Sequence, residues 1–273
     1  MEFSDDFYMK QGYVCYFDKY EKVYTDLDVI FKGFLDGTEY KNFYVPAMID
    51  EDVLQKCGYF ESFPDQISAV ACVKDEAIED IMSGEELNTT RIELRNKYLT
   101  PSACLHIYPM LCGKKIIENE IITTKARVYR CEKSGFEELT RLWDFSVREI
   151  VFVGTEEFVK ENLESMKKKA LELARKISPD AKLEIAHDPF YKGHRNNIKA
   201  ILQTKNEQKY ELRILIGNRE VSVASFNFHG HHFSVPFNFD DDRKIVSGCV
   251  GFGIERWVAA CKEYNKFDVE NLK

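Results

Sequence analysis

The chain has no run approaching the roughly 20 consecutive apolar residues that a membrane-spanning helix needs, so no membrane role is expected. It also has no Gly-x-x-x-x-Gly-Lys-Ser/Thr loop, no Gly-x-Ser-x-Gly elbow and no His-Glu-x-x-His helix. Those absences remove P-loop nucleotide hydrolases, elbow-type serine hydrolases and zincin proteases. Internal repeats, low-complexity tracts and long linkers are missing as well. Basic charge is in deficit: 38 Lys and Arg face 46 Asp and Glu, a net charge of -8 at pH 7. A general nucleic-acid binder would show the opposite balance. The acidic start, residues 1–6, has neither the basic head nor the apolar run of a secretory signal. Eight cysteines follow no disulfide rhythm, and reduced thiols in a cytoplasm are the expectation.

What is present is ordinary globular composition, 44% hydrophobic and 31% charged over 273 residues, which can bury a sizeable core. Short helices or capped turns are expected at 50–57 and 75–82, and an amphipathic helix at 89–99. From Lys125 the texture alternates as a strand does, to Glu132. A polar loop with Ser134-Gly135 follows. Alternation resumes from Trp143 to Gly154, with Trp143, Phe145, Val147, Glu149 and Val151 on one face, which predicts an antiparallel hairpin. Thr155 is placed to cap a helix that opens on Glu156-Glu157 and runs to Ile177. Strands are expected at 182–185, 197–203, 210–217 and 221–228, and a final helix from Gly251 to Tyr264. Residues 1 to about 30 give no firm assignment.

Four groups of residues carry chemistry. Gly251-x-Gly253-x-x-Arg256 ends a strand and opens a helix; the glycines would let a nucleotide approach the backbone, and the arginine can reach a phosphate or stack on a base. A small-residue helix start with a surface arginine has the same pattern. Arg130-x-Glu132, a loop, and then Arg141, Phe145 and Glu149 would put arginines and an aromatic ring on one face, suited to a triphosphate and an adenine. A solvated hairpin laced with ion pairs reads alike. Cys104, Glu132 and Cys249 form a three-ligand zinc set with a fourth position open, although buried cysteines and a surface glutamate would also satisfy the spacing. His229-Gly230-His231-His232 puts His229 and His231 on one strand face, which suits either a metal or a polar strand edge.

Together these segments resemble the second and third signature motifs of class II aminoacyl-tRNA synthetase catalytic domains. The chain is closest in pattern to truncated homologues of archaeal-type seryl-tRNA synthetases, the amino acid:[carrier protein] ligases. TPSAC around Cys104, RCE around Glu132, FSVREIVFVGT (145–155), HDPFY (187–191), ASFNFHGHHF (224–233) and SGCVGFGIERW around Cys249 carry the likeness, over roughly residues 95 to 265. The resemblance implies an α+β fold, an antiparallel sheet flanked by helices, with residues 1–273 as a single catalytic domain, a helical insertion near 156–177 and no tRNA-binding domain. It implies ATP-dependent activation of a small amino acid and transfer to the phosphopantetheine thiol of a carrier protein, in a homodimer that does not charge tRNA. Arg130 and Arg256 would hold the reacting phosphate, and Arg141 the outer phosphates. Phe145 would stack adenine, with Glu149, Gly251 and Gly253 beside the nucleotide. Zn2+ would sit on Cys104, Glu132 and Cys249. The carboxylate for Mg2+ and ATP is sought at Glu220, near Asn227. Lys167-Lys168-Lys169 and Arg175-Lys176 are candidates for docking an acidic carrier. A class II paralogue acting as a regulatory or scaffold subunit, without catalysis, is the alternative.

Overall fold

In the computed structural model, which describes residues 2–3, 7–114, 116, 118–133, 135–239 and 244–272, the chain opens with strands β1 (Glu2–Phe3), β2 (Phe7–Lys10) and β3 (Tyr13–Tyr16). Helix α1 (Asp18–Gly33), β4 (Lys41–Asn42), β5 (Met48–Asp50), α2 (Glu51–Lys56) and α3 (Tyr59–Ser62) follow. Then come β6 (Ala69–Val73), α4 (Ile78–Met82), β7 (Ile92–Leu99) and α5 (Ile107–Leu111). The long hairpin is β8 (Glu120–Tyr129) and β9 (Asp144–Gly154), followed by α6 (Glu156–Ile177) and β10 (Lys182–Ile185). Helix α7 (His194–Lys205), strands β11 (Lys209–Ile216), β12 (Arg219–Gly230) and β13 (Val246–Gly253), and helix α8 (Ile254–Glu263) complete the order.

The frame is a seven-stranded sheet in the order β10-β11-β12-β13-β9-β8-β4, antiparallel throughout except for the short β4–β8 pair. Side chains of successive strand residues point to opposite faces, so register decides what each face carries. On β9, Ile150 and Phe152 join Val250 and Phe252 of β13 and Phe226 of β12 in the large core beneath α1, α6 and α8. Phe31 of α1 stacks on Phe252 at 4.5 Å, and the buried Trp257 of α8 donates its indole N–H to the Val223 carbonyl. The other face of β9 carries Glu149, Val151 and Val153. The register pairs Val151 with Cys249 and Glu149 with Gly251. It then pairs Cys249 with Asn227, Gly251 with Ser225, and Ser225 with Glu211. A polar floor is therefore set by pairing alone, facing away from α1, α6 and α8.

Helix α6 begins as the sequence indicates: the Phe158 N–H donates to the Thr155 hydroxyl at 3.3 Å. It is no appendage, because Val159, Leu163, Met166 and Ala170 are buried in the main core. A Cβ at Gly248 would lie 2.7 Å from Val159 Cγ1 and 2.9 Å from the Asn227 carbonyl, so glycine is what lets α6 seat on β13.

Three expectations fail. Residues 89–99 form a turn and then strand β7, paired with β5 and β6. Residues 94–97 of that strand are open to solvent, so burial imposes no alternation there, and Asn96 has a left-handed φ of 52°. Residues 197–203 lie in helix α7, whose Ile198, Ile201 and Leu202 are exposed rather than buried on a sheet. The glycines at 251 and 253 belong to β13, and the helix starts at Ile254. No helix among the described residues is long and apolar enough to cross a membrane.

Candidate active site

A cleft of about 940 Å³ opens over the polar floor. Its roof includes the 187–205 segment, which is tied down by Asn196 donating to the Glu61 carbonyl at 3.0 Å, Lys199 donating to Ser62 Oγ at 3.0 Å, and Phe190 stacked on Phe63 at 5.2 Å.

At the centre of the floor three ligating side chains meet. Cys104, Glu149 and Cys249 each offer an atom, all within 4.8 Å of one another, and all three are buried. Cys104 arrives on the short turn Ala103–His106, and its backbone N–H donates to Glu149 Oε2 at 2.8 Å, which aims the carboxylate. Ser102 Oγ lies 3.3 Å from Cys104 Sγ, and the Asn227 amide donates to Cys249 Sγ at 3.6 Å. Without a cation this group is ill-matched. Burial pushes the Glu149 carboxyl up, and the bond shared with Cys104, followed by burial, holds the Cys249 thiol well above its ordinary value. A divalent ion would reverse both, since thiolates and carboxylates are the ligating forms. Two sulfurs and one carboxylate oxygen at this spacing fit a borderline-soft ion in tetrahedral coordination.

The expected third ligand is therefore corrected. Glu132 lies on the loop after β8, lines the cleft and faces Arg256, and is not in the cluster. Glu149, expected beside the nucleotide, takes its place because β9 presents it on the same face as Cys249, which sits across the Gly251 pairing on β13.

The arginines do converge. Arg130 Nε donates to the Pro101 carbonyl at 3.0 Å, and its guanidinium lies 5.4 Å from the centre of the Phe145 ring. Arg256 Nε donates to the Thr140 carbonyl and its second nitrogen to the Ser222 carbonyl, both at 2.8 Å. Burial, then Arg130, lowers the Arg256 guanidinium from its ordinary value; an anion between the two would oppose that. Arg141 is bound to Glu137 at 3.0 Å on the edge of the loop. Gly251 and Gly253 line the cleft, and a Cβ on either would meet its nearest atoms at 3.5 Å or more, in ordinary contact, so their lack of a side chain keeps cleft volume open.

Glu220 falls outside the cleft: it is 46% exposed and paired with Lys182 at 2.6 Å. Glu211, one strand away, is a cleft carboxylate that the sequence reading did not name. It lines the cleft, is 15% exposed, and binds Arg213 at 2.8 Å. The alternation of β11 from Lys209 was the available signal, because Lys209, Glu211 and Arg213 share a face. Asp188 was also missed; it lines the cleft, is 31% exposed, and is bound to Lys209 at 2.6 Å and Gln203 at 2.8 Å.

The histidines do not form a metal site among the described residues. His229 Nε2 lies 3.5 Å from Cys249 Sγ, and its other ring nitrogen lies within 3.2 Å of both Tyr108 and Ser247 hydroxyls. Burial lowers its pKa to about 3, so it is neutral. His231 instead faces Ser234, and His232 faces the Cys57 carbonyl.

No family model matches the chain. Over 233 residues it is 29% identical to the type-2 serine–tRNA ligase of Methanococcus maripaludis and 30% identical to that of Methanocaldococcus jannaschii, in each case 78% of this chain and 45% of the relative. It is 29% identical over 236 residues to amino acid–[acyl-carrier-protein] ligase 1 of Bradyrhizobium diazoefficiens, 82% of this chain and 71% of that protein. The chain thus spans about half the length of the tRNA ligases it matches. Among solved structures, M. kandleri SerRS in complex with A. aeolicus tRNASec superposes with a TM-score of 0.80 at 20% identity, covering 94% of this chain and 54% of that one. Giardia lamblia prolyl-tRNA synthetase in complex with prolyl-adenylate gives 0.66 at 14% identity, covering 93% and 48%.

Proposed function

We propose that this chain, which has the class II aminoacyl-tRNA synthetase fold and is homologous to type-2 serine–tRNA ligases and amino acid–[acyl-carrier-protein] ligases, activates a small amino acid with ATP and passes it to the phosphopantetheine thiol of a carrier protein. The observation that carries this reading is the convergence in one cleft of the Cys104–Glu149–Cys249 cluster with Arg130, Phe145 and Arg256. Relatives of both names support the ligase. The carrier rather than tRNA as acceptor is supported by the relative named as a carrier-protein ligase and by the acidic balance of the chain.

Cys104, Glu149 and Cys249 would hold a zinc ion, which would supply a Lewis acid for the neutral amino group of the substrate. The rest is the work of side chains. Arg130 and Arg256 are each anchored through some of their N–H groups to backbone carbonyls, which leaves the others for phosphate oxygens. The substrate carboxylate attacks the α-phosphorus, pyrophosphate leaves, and the fixed guanidiniums meet the charge that develops. Phe145 offers a ring face to adenine. Glu211 offers the carboxylate for the magnesium that accompanies ATP. The carrier thiol then attacks the acyl carbon of the mixed anhydride, forming the thioester and releasing AMP.

Docking of an acidic carrier on Lys167–Lys169 has little support. Lys167 is buried and paired with Glu164 at 2.6 Å, and Lys169 donates to the Phe34 carbonyl. Helix α7 is the better candidate: it borders the cleft, carries Arg195, Lys199 and Lys205, and has no acidic residue. A homodimer is part of the proposal, checked by sedimentation. The function is tested by ATP–pyrophosphate exchange without tRNA, followed by thioester formation on a phosphopantetheinylated carrier. Exchange without transfer to a carrier, but with charging of tRNA, would overturn the acceptor assignment.

A further inference from the structure

The first sixteen residues play no part in the chemistry above, yet their hairpin reaches the loop that carries it. Strands β2 and β3 are joined by the two-residue turn Gln11-Gly12, both residues with positive φ (46° and 89°), the backbone of a tight hairpin turn. The base of the hairpin is fixed in the main core by Phe7 and Val14, and Phe7 packs on Tyr20 of α1 at 5.4 Å. Its tip touches the 130–143 loop. The Gly12 carbonyl accepts from Trp143 N–H at 2.7 Å and from Asp144 N–H at 3.1 Å, the point where the loop re-enters β9. Phe136, in mid-loop, lies against Gly12 so closely that a Cβ there would sit 2.5 Å from the ring. Phe136 in turn stacks on Trp143, whose indole N–H donates to Ser68 Oγ at 2.9 Å.

This loop bears Glu132 and Arg141, and the Thr140 carbonyl that holds Arg256. Arg130 N–H closes it on the Trp143 carbonyl at 2.9 Å. The return limb of the loop thus takes its position from a carbonyl some 130 residues earlier in the sequence.

We propose that the amino-terminal hairpin is a positioning element of the nucleotide site, with Gly12 as a positioning residue that fixes the 130–143 loop and through it Arg141 and Arg256. The proposal rests on the ATP reading above. The hairpin sets where the loop lies, and ATP affinity follows from that placement.

The test uses the full chain with Gly12→Ala, which places a side chain at positive φ against the Phe136 ring. Trp143 is 39% exposed and Trp257 fully buried, so acrylamide quenching of tryptophan fluorescence reports the loop, with Trp143→Phe assigning the signal. Quenching is expected to rise in Gly12→Ala. KM for ATP in pyrophosphate exchange should rise about tenfold, the loss of roughly one well-made hydrogen bond, and kcat should fall as well, because Arg256 moves with the loop. Adding Phe136→Ala to Gly12→Ala removes the clash and should restore part of the affinity. If Gly12→Ala fails to fold, Phe136→Ala alone, which removes the surface the tip rests on, should move both readouts in the same direction. Unchanged quenching, or raised quenching with unchanged KM, overturns the proposal. If the unsubstituted protein exchanges pyrophosphate with no amino acid, the functional reading fails separately, and quenching alone decides whether the hairpin holds the loop.

Discussion

Replacing Glu149 by glutamine removes one charge and little else. The side chain is 3% exposed, and its Oε2 accepts the Cys104 N–H at 2.8 Å, a bond an amide oxygen can also accept. The fold should survive. What is lost is the anionic third donor of a cluster whose ligand atoms lie within 4.8 Å of one another. A metal held only by the native state at a hundredfold excess over its Kd stabilises by about 2.7 kcal/mol, which for a chain of this size moves Tm by roughly 5–10 °C. If Glu149→Gln weakens the site about a hundredfold, the same zinc concentration leaves about 0.4 kcal/mol, or about 1 °C. Glu132→Gln should keep the whole shift. In stripped protein the sign is opposite. Burial raises the Glu149 carboxyl, so its contribution to stability is present at low pH and lost as pH rises through the folded value. Stripped Glu149→Gln should therefore be at least as stable as stripped parent protein at neutral pH, with an advantage that does not shrink as pH rises. Thermal unfolding of chelated protein titrated with zinc measures all of this. A full shift in Glu149→Gln, or its loss in Glu132→Gln, refutes the ligand assignment.

Glu211→Gln should cut exchange by about a hundredfold and raise the magnesium requirement, whereas Glu220→Gln, on the exposed Lys182 pair, should leave the rate within a factor of about two. Exchange measured across magnesium concentrations separates the two. Glu255 is buried, accepts from the Ser146 N–H at 2.8 Å and is pushed up to about 7 by burial. Its protonated form is favoured in the folded state, so the stability it confers is present below about pH 4.5 and lost as pH rises to about 7, an effect on the order of 3 kcal/mol. Glu255→Gln should flatten that part of the Tm–pH curve; a curve unchanged by the substitution would count against this. Gly248→Ala should destabilise by about 1–3 kcal/mol through the Val159 and Asn227 clashes. Gly251→Ala should leave Tm nearly unchanged and raise KM for ATP, and chemical denaturation beside kinetics checks both.

Where the pattern is local, the sequence was legible. The β8–β9 hairpin was read from its alternation although most of β9 is buried on both faces, and the cap at Thr155 is local chemistry. Where apolar residues stay exposed, as in α7 and β7, periodicity does not report burial, and both elements were misread. The site was legible as a set of residue types, yet the acid that clusters with the two cysteines is Glu149 rather than Glu132. Glu132 and Glu149 sit in the same hairpin, and only the register of β9 with β13 shows which one faces Cys249. Glu211 and Glu220 pose the same problem across the β11–β12 turn. The amino-terminal hairpin was unreadable because its partner, the 130–143 loop, lies far along the chain.

The most direct test of the central claim is ATP–pyrophosphate exchange without tRNA, screened across the amino acids on protein whose zinc has been quantified. The account predicts exchange with one or two small amino acids in protein carrying about one zinc per chain. Protein without zinc and without exchange would contradict it.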